Sequence, residues 1–428
     1  MEKEKTGDML ISLIVPCYNE EEAMPLFYQE ACRVAKNMKK SHNADFEIIF
    51  VDDGSKDRSA EICHMYCEND KRFQVIHQVN SGAAIARNNG AKRAKGKYII
   101  FLDADDVFEF NFLEKMYATA EGNSADVCIC GWTFFSDTGD RETVRKPHLN
   151  IEKDDEFFLW YQGFNPWSKL CRRDFLIEKN ICFQNLTSSN DVYYSICVLL
   201  DAEHICYIED SLIRYRTSSA RQISANRNPT NLGYACKLAM ERYRGKSNLK
   251  KRIQIFIALL LAMRGECTDN NTHKQLRDYI MENIIKDIEC ENIDNKTIKK
   301  IILLIKEEKY DMDAMKRVFS FKSQLYDNRE VILRKLKSNS NIYLWGLGAR
   351  GNAFQEFCEE NNIHISAIAD SKNINVGKEN EWGNLIIDTS EMLKKNGLII
   401  ACNDTVYKIL VRCKGSSKIV NLQNYCFL

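Results

Sequence analysis

Acidic side chains gather behind apolar runs near the start of the chain. Leu10–Val15 leads into Pro16-Cys17-Tyr18-Asn19-Glu20, Phe46–Val51 into Asp52-Asp53-Gly54-Ser55, and Tyr98–Leu102 into Asp103-Ala104-Asp105-Asp106. Carboxylates brought this close repel one another unless a cation sits among them. Asp103 and Asp105 alternate along a strand end, so both can reach one cleft, and Asp106 offers a third oxygen pair that blurs the register. A solvated acidic turn or a helix cap is the plainer alternative.

Positioning these groups falls to an alternation of strands and helices. The short, mainly apolar runs read as buried strands, and two more strands follow at Phe73–His77 and Asp126–Phe135. Between them, Glu20–Lys40 carries Phe27, Ala31, Val34, Ala35 and Met38 on one helical face. Further helices are expected over Asp57–Glu68, over Ala83–Lys95 and from about Asn111. This pattern predicts an α/β fold with a mostly parallel sheet and helices on both faces. Such sheets bind ligands beyond the carboxyl ends of their strands, and three strands deliver acids to that edge.

Four motifs in this order resemble family 2 glycosyltransferases of the GT-A fold: Ile14-Val-Pro-Cys-Tyr-Asn-Glu20, Val51-Asp-Asp-Gly-Ser55, Ser81-Gly-Ala-Ala-Ile-Ala-Arg-Asn88 and Phe101-Leu-Asp-Ala-Asp-Asp106. The resemblance runs from Leu10 to roughly Ser224. It implies a metal-dependent, inverting enzyme of hexosyltransferase type. The donor would be a nucleotide-sugar, of the UDP kind, and the acceptor a glycan or lipid-linked glycan, as in surface polysaccharide biosynthesis. A departing diphosphate needs its charge neutralised, and a hard divalent cation does so through one or two carboxylates and phosphate oxygens.

By that resemblance Asp105 is the main ligand of Mg²⁺ or Mn²⁺, and Asp103 lies near the ribose or the metal. Asp52 accepts an N–H of a uracil-like base, and Pro16, Tyr18 and Glu20 form the other side of the slot. Tyr18 either stacks on the base or anchors its loop. Arg87 either approaches the phosphates or makes an ordinary helix salt bridge. In Ser189-Asn190-Asp191-Val192-Tyr193-Tyr194 the base that deprotonates the acceptor is Asp191, with an N-cap role as its structural alternative. Asn190 departs from the acid usual at that place. Asn165-Pro-Trp167-Ser-Lys169 resembles the loop before the acceptor side, and Arg214-Tyr215-Arg216 with Ser218-Ser219 resembles the close of the domain. No Gln-x-x-Arg-Trp signature is present, so a single transfer per acceptor is expected rather than processive synthesis.

Composition narrows the rivals. The 428 residues hold 60 Lys+Arg against 60 Asp+Glu, so bulk charge gives no reason to expect nucleic acid as a partner. Seventeen cysteines form no Cys-x-x-Cys pair, which fits buried free thiols in a reducing cytosol better than zinc or disulfides. The start, Met1–Met9, has no apolar signal core, and the longest apolar run, Ile253–Met263, is short of the ~20 residues a bilayer needs. A cytoplasmic enzyme is expected. A sugar nucleotidyltransferase would want a glycine-rich basic signature where Cys17–Glu22 stands, and a non-catalytic nucleotide-sugar sensor is the other alternative.

The second half divides differently. Three parts are expected: 1–225 catalytic, 226–338 helical and 339–428 Rossmann-like. Lys237–Ser338 holds 23 Lys+Arg and 15 Asp+Glu, a net of +8. Its helices at Lys250–Met263 and Lys299–Lys309 either pack on the catalytic part or lie on the inner face of an anionic membrane. Behind a strand at Asn341–Trp345 comes Gly346-Leu-Gly348-Ala-Arg-Gly351, and the next strand ends at Asp370. That context fits a dinucleotide-type loop, either working as a nucleotide site or kept as a scaffold or oligomerisation module.

Overall fold

The computed structural model describes residues 9–42, 45–103, 106–135, 143–149, 151–216, 228–267, 269–288, 292–293, 295–318, 320, 323, 325–326, 328–346, 348–370, 376–380, 383–402 and 419–421. The chain forms two compact units, Met1–Ile288 and Glu289–Leu428.

In the first unit the apolar runs become β1 (Met9–Cys17), β2 (Asp45–Asp52), β3 (Phe73–His77) and β4 (Tyr98–Phe101). They pair in parallel in the order β3-β2-β1-β4. Ile11, Ile14, Ile49, Val51 and Ile100 are fully buried, as expected of strands covered on both faces. The connecting helices are α1 (Ala23–His42), α2 (Ser59–Asn69) and α3 (Ala83–Arg93). A side chain on Gly90 of α3 would stand 2.4 Å from Ile14 Cγ2. The glycine therefore lets α3 lie against β1 and β2, and overpacking here would cost about 1–3 kcal/mol.

Pro16 sits near the end of β1, where a missing N–H could break the sheet. The pairing of β1 with β4 stops at Ile14↔Phe101, however, so at Pro16 only β2 still flanks the strand. Among the described residues the last bond between the two segments is from Leu102 N–H to the Ile14 carbonyl, at the carboxyl end of the strands, where such sheets bind ligands in a crevice.

The other half of the sheet is mixed. After β5 (Val107–Phe108), α4 (Phe112–Gly122), β6 (Val127–Phe135) and β7 (Thr143–Arg145) come α5 (Phe158–Gln162), β8 (Lys169–Arg172), α6 (Arg173–Glu178), α7 (Asn190–Asp201) and β9 (Ile205–Arg216). Antiparallel β8 joins β4 to β6, and β9 runs parallel to β6 before pairing its far end with β5. Phe101 meets Phe183 and Tyr194 edge-to-face at 4.8 and 5.5 Å, which seats α7 over the end of β4.

Helices α8 (Pro229–Arg242), α9 (Leu249–Glu266) and α10 (Asn270–Asn283) complete this unit. Residues Ile253 to Leu261 of α9 are buried, and Gln254 donates to the carbonyls of Lys153 and Asp155 at 2.8 and 2.6 Å. The apolar surface of α9 is thus spent on packing within the unit. Among the described residues no helix is long and apolar enough to cross a membrane.

The second unit holds α11 (Lys296–Lys306), α12 (Met312–Val318), α13 (Arg329–Lys337) and four parallel strands. Ile298, Ile301, Ile302 and Ile305 form the buried face of α11. The strands are β10 (Ile342–Trp345), β11 (Ala367–Ala369), β12 (Leu398–Ala401) and β13 (Ile419–Asn421), in the order β11-β10-β12-β13. After β10 the chain turns at Gly346, φ +129°, into α14 (Ala349–Glu360). A side chain on Gly351 would stand 1.9 Å from the Gly346 carbonyl, so both glycines are needed for this tight strand-to-helix turn.

Candidate active site

Because β2, β1 and β4 are neighbours, the loops that follow them meet at one edge of the sheet. The first two are laced together. Asn19, in the left-handed region at φ 58°, donates its N–H to Ser55 Oγ at 3.0 Å and accepts from Lys56 N–H at 2.8 Å. Glu20 N–H donates to Ser59 Oγ at 2.8 Å, and Arg58 N–H to Glu21 Oε2 at 3.0 Å. Pro16, Tyr18 and Glu20 are therefore carried on a loop fixed against the β2–α2 turn. Tyr18 is 42% exposed on it.

Asp52 and Asp53 have separate surroundings. Asp52 is buried, accepting from Ser55 N–H at 3.1 Å and lying 3.0 Å from His77 Nδ1. Asp53 accepts from the N–H groups of Ser81 and Gly82 at 2.7 and 2.8 Å and from Gln78 Nε2 at 2.8 Å. Asp53 thus pins the β3–α3 loop, while Asp52 faces Ser55 and His77 instead.

Arg87 joins the far side of the crevice. Its guanidinium donates to Asp103 Oδ1 at 2.6 Å and to Asn190 Oδ1 at 3.2 Å, and its Cζ lies 5.3 Å from the centroid of the Phe183 ring. Arg87 thus makes a salt bridge, but to a partner outside α3 rather than within the helix. Asn190, which the sequence marks as a departure from an acid, is buried and completes this clamp as a neutral acceptor. Asp191 follows it in the first turn of α7. The N-cap position itself is occupied by Ser189, in the left-handed region at φ 53°.

Behind α7, the Asn165–Lys169 segment is held from both sides. Ser195 of α7 donates to the Phe164 carbonyl, and Lys169 Nζ donates to the Asn165 carbonyl at 2.8 Å and towards that of Gln162 at 3.5 Å. Burial pushes the Lys169 ammonium down to about 8, against the opposing pull of Cys171, Cys130 and Asp191. Trp167 stacks on Tyr215 at 5.3 Å, and Arg216 N–H donates to Asp106 Oδ1 at 3.3 Å, so the end of β9 closes on the acidic turn. Asp105, Ser218 and Ser219 lie outside the described residues.

Pro16, Tyr18, Glu20, Asp52 and Asp103 therefore share one sheet edge, and Arg87 ties Asp103 to the helix of Asp191. Sequence reasoning missed His77 and the clamping part of Asn190. The first is a cross-strand neighbour of Asp52, and the second lies 103 residues from Arg87. Neither proximity leaves a local pattern.

An α/β sheet of this order, with acids at the ends of three adjacent parallel strands and an antiparallel return, has the GT-A architecture. The solved structure of S. aureus TarS 1-349 in complex with UDP-GlcNAc superposes with a TM-score of 0.58 at 17% identity, over 75% of this chain and 92% of that one. That likeness concerns the fold alone. The model of glycosyl transferase family 2 matches residues 12–179. The glycosyltransferase GlyG of Streptococcus pneumoniae is 33% identical over 224 residues, 49% of this chain and 71% of GlyG. The uncharacterized glycosyltransferase EpsJ of Bacillus subtilis is 28% identical over 303 residues, 65% of this chain and 84% of EpsJ. The chain belongs to the family 2 glycosyltransferases.

Proposed function

We propose that the first unit transfers a sugar from a UDP-sugar to a hydroxyl of a glycan or lipid-linked glycan, with inversion at the anomeric carbon. The acceptor oxygen attacks that carbon as its proton passes to the Asp191 carboxylate. The bond from the carbon to the diphosphate breaks, and the nucleoside diphosphate leaves with the electron pair. Asp52 reads the base, the loop bearing Pro16, Tyr18 and Glu20 lines the slot, and Arg87 and Asp103 stand at the phosphate end. The observation that carries this reading is the Arg87 clamp. It holds the acid at the end of β4 and the helix of the proposed base in one hydrogen-bonded unit.

The donor set also fits a divalent metal. Asp103 offers a partly exposed carboxylate of hard oxygens, and Asp105, two residues on in the sequence, would supply the second. Among the described residues no group of three or more His, Cys, Asp or Glu could hold an ion. Magnesium-type sites commonly use one or two carboxylates together with substrate phosphates rather than an all-protein cage. When bound, Mg²⁺ or Mn²⁺ would neutralise the charge developing on the leaving diphosphate. The binding of UDP-GlcNAc by TarS supports a UDP-linked donor.

Calorimetric titration of the full chain with UDP, with and without Mn²⁺, tests the reading. Metal-dependent UDP binding that is lost in Asp103→Asn is expected. UDP binding indifferent to both the metal and Asp103 would count against it.

A further inference from the structure

His77 and His64 form a chain of side chains leading from Asp52 to the surface. Asp52 and His77 are direct neighbours across β2 and β3. His77 Nδ1 lies 3.0 Å from Asp52 Oδ2, while Asp52 Oδ1 takes the N–H of Ser55 at 3.1 Å. An ionised carboxylate only accepts, so His77 Nδ1 carries the proton of this contact. On the other side of the ring, His77 Nε2 lies 2.8 Å from His64 Nε2. Two ring nitrogens at that separation share one proton. The pair fixes the orientation of the His77 ring, and the 30° angle and 4.7 Å spacing of the two rings keep them in contact.

We infer that His77 is the positioning residue for nucleobase recognition, with His64 holding it in place. This rests on the proposed role of Asp52. One oxygen of Asp52 is turned to His77 and the other to Ser55, so the carboxylate has a single orientation and presents its remaining lone pairs as acceptors. An acceptor fixed in this way selects a base that offers a ring N–H, as uracil does at N3. It disfavours cytosine, which has a lone pair at the same position. His77 thereby contributes to discrimination between pyrimidines without touching the base.

The test compares UDP and CDP binding by calorimetry for the full chain and four variants. In His77→Asn the amide nitrogen can take the place of Nδ1. In His77→Gln it reaches the place of Nε2 instead and leaves Asp52 Oδ2 without its donor. The His77 side chain is 39% exposed, so neither change empties a core. His77→Asn is expected to keep the UDP/CDP preference within about threefold, and His77→Gln to lower it by about tenfold, the size of one lost charge-assisted hydrogen bond. His64→Ala is expected to lower it by a few-fold. Equal preference in the Asn and Gln variants, with Asp52→Asn losing the preference, would overturn the inference and leave the reading of Asp52 intact. A preference retained in Asp52→Asn as well, or no UDP binding by the wild-type chain, would overturn both.

Discussion

Arg87 Nη2 donates to Asp103 Oδ1 at 2.6 Å, linking the middle of α3 to the turn after β4. The same guanidinium reaches Asn190 and faces the ring of Phe183, so one buried cation organises three segments. A planar fork with several donors can serve two acceptors at fixed angles, which a lysine ammonium cannot reproduce. Arg87→Lys and Arg87→Ala are both expected to lower kcat by at least about a hundredfold. In urea unfolding Arg87→Ala should cost on the order of 2 kcal/mol. That is below the 3–5 kcal/mol of a fully buried pair, because the Asp103 side chain is 29% exposed.

Removal of divalent metal with EDTA is expected to abolish sugar transfer, and Mg²⁺ or Mn²⁺ to restore it in the wild-type chain but not in Asp103→Asn. Product release followed by chromatography checks this. Full activity in EDTA would remove the metal from the account.

Lys169 gives a pH dependence with a definite sign. Burial lowers its folded value to about 8, against an ordinary 10.5. Below about pH 8 both states hold the proton and the burial penalty is fully present. Between about pH 8 and 10.5 only the unfolded chain holds it, so this contribution to stability rises with pH, by up to about 1.4 kcal/mol per unit. Lys169→Met lacks that term. Urea unfolding of both proteins at about pH 7.5 and pH 10 should show the wild-type chain gaining on the variant at the higher pH. A constant gap would contradict the assignment.

Thiol reactivity should be sharply uneven. Burial pushes the thiols of Cys130, Cys171, Cys197 and Cys236 up to about 12, while Cys182 is exposed. Native-state alkylation at neutral pH, read by peptide mass spectrometry, should label Cys182 well ahead of those four.

The parallel half of the sheet is legible in the sequence because each of its strands is a short, mainly apolar run. The run at Phe73–His77 matches β3 residue for residue. The antiparallel return is harder to read. Strand β8 has four residues and begins on a buried lysine, and β9 carries exposed Glu209 and Asp210 in mid-strand, so neither shows a clean period. The acids of the site announce themselves by following strand ends. Their partners do not: His77 reaches Asp52 across strands and Asn190 reaches Arg87 across the crevice, contacts that only the folded chain creates.

The most direct test of the central claim is Asp191→Asn, with UDP affinity and sugar transfer measured on the same preparation. If Asp191 takes the acceptor's proton, donor affinity should stay within about twofold while transfer falls by about a thousandfold or more. Transfer at the wild-type rate by this variant would contradict the assignment of the base.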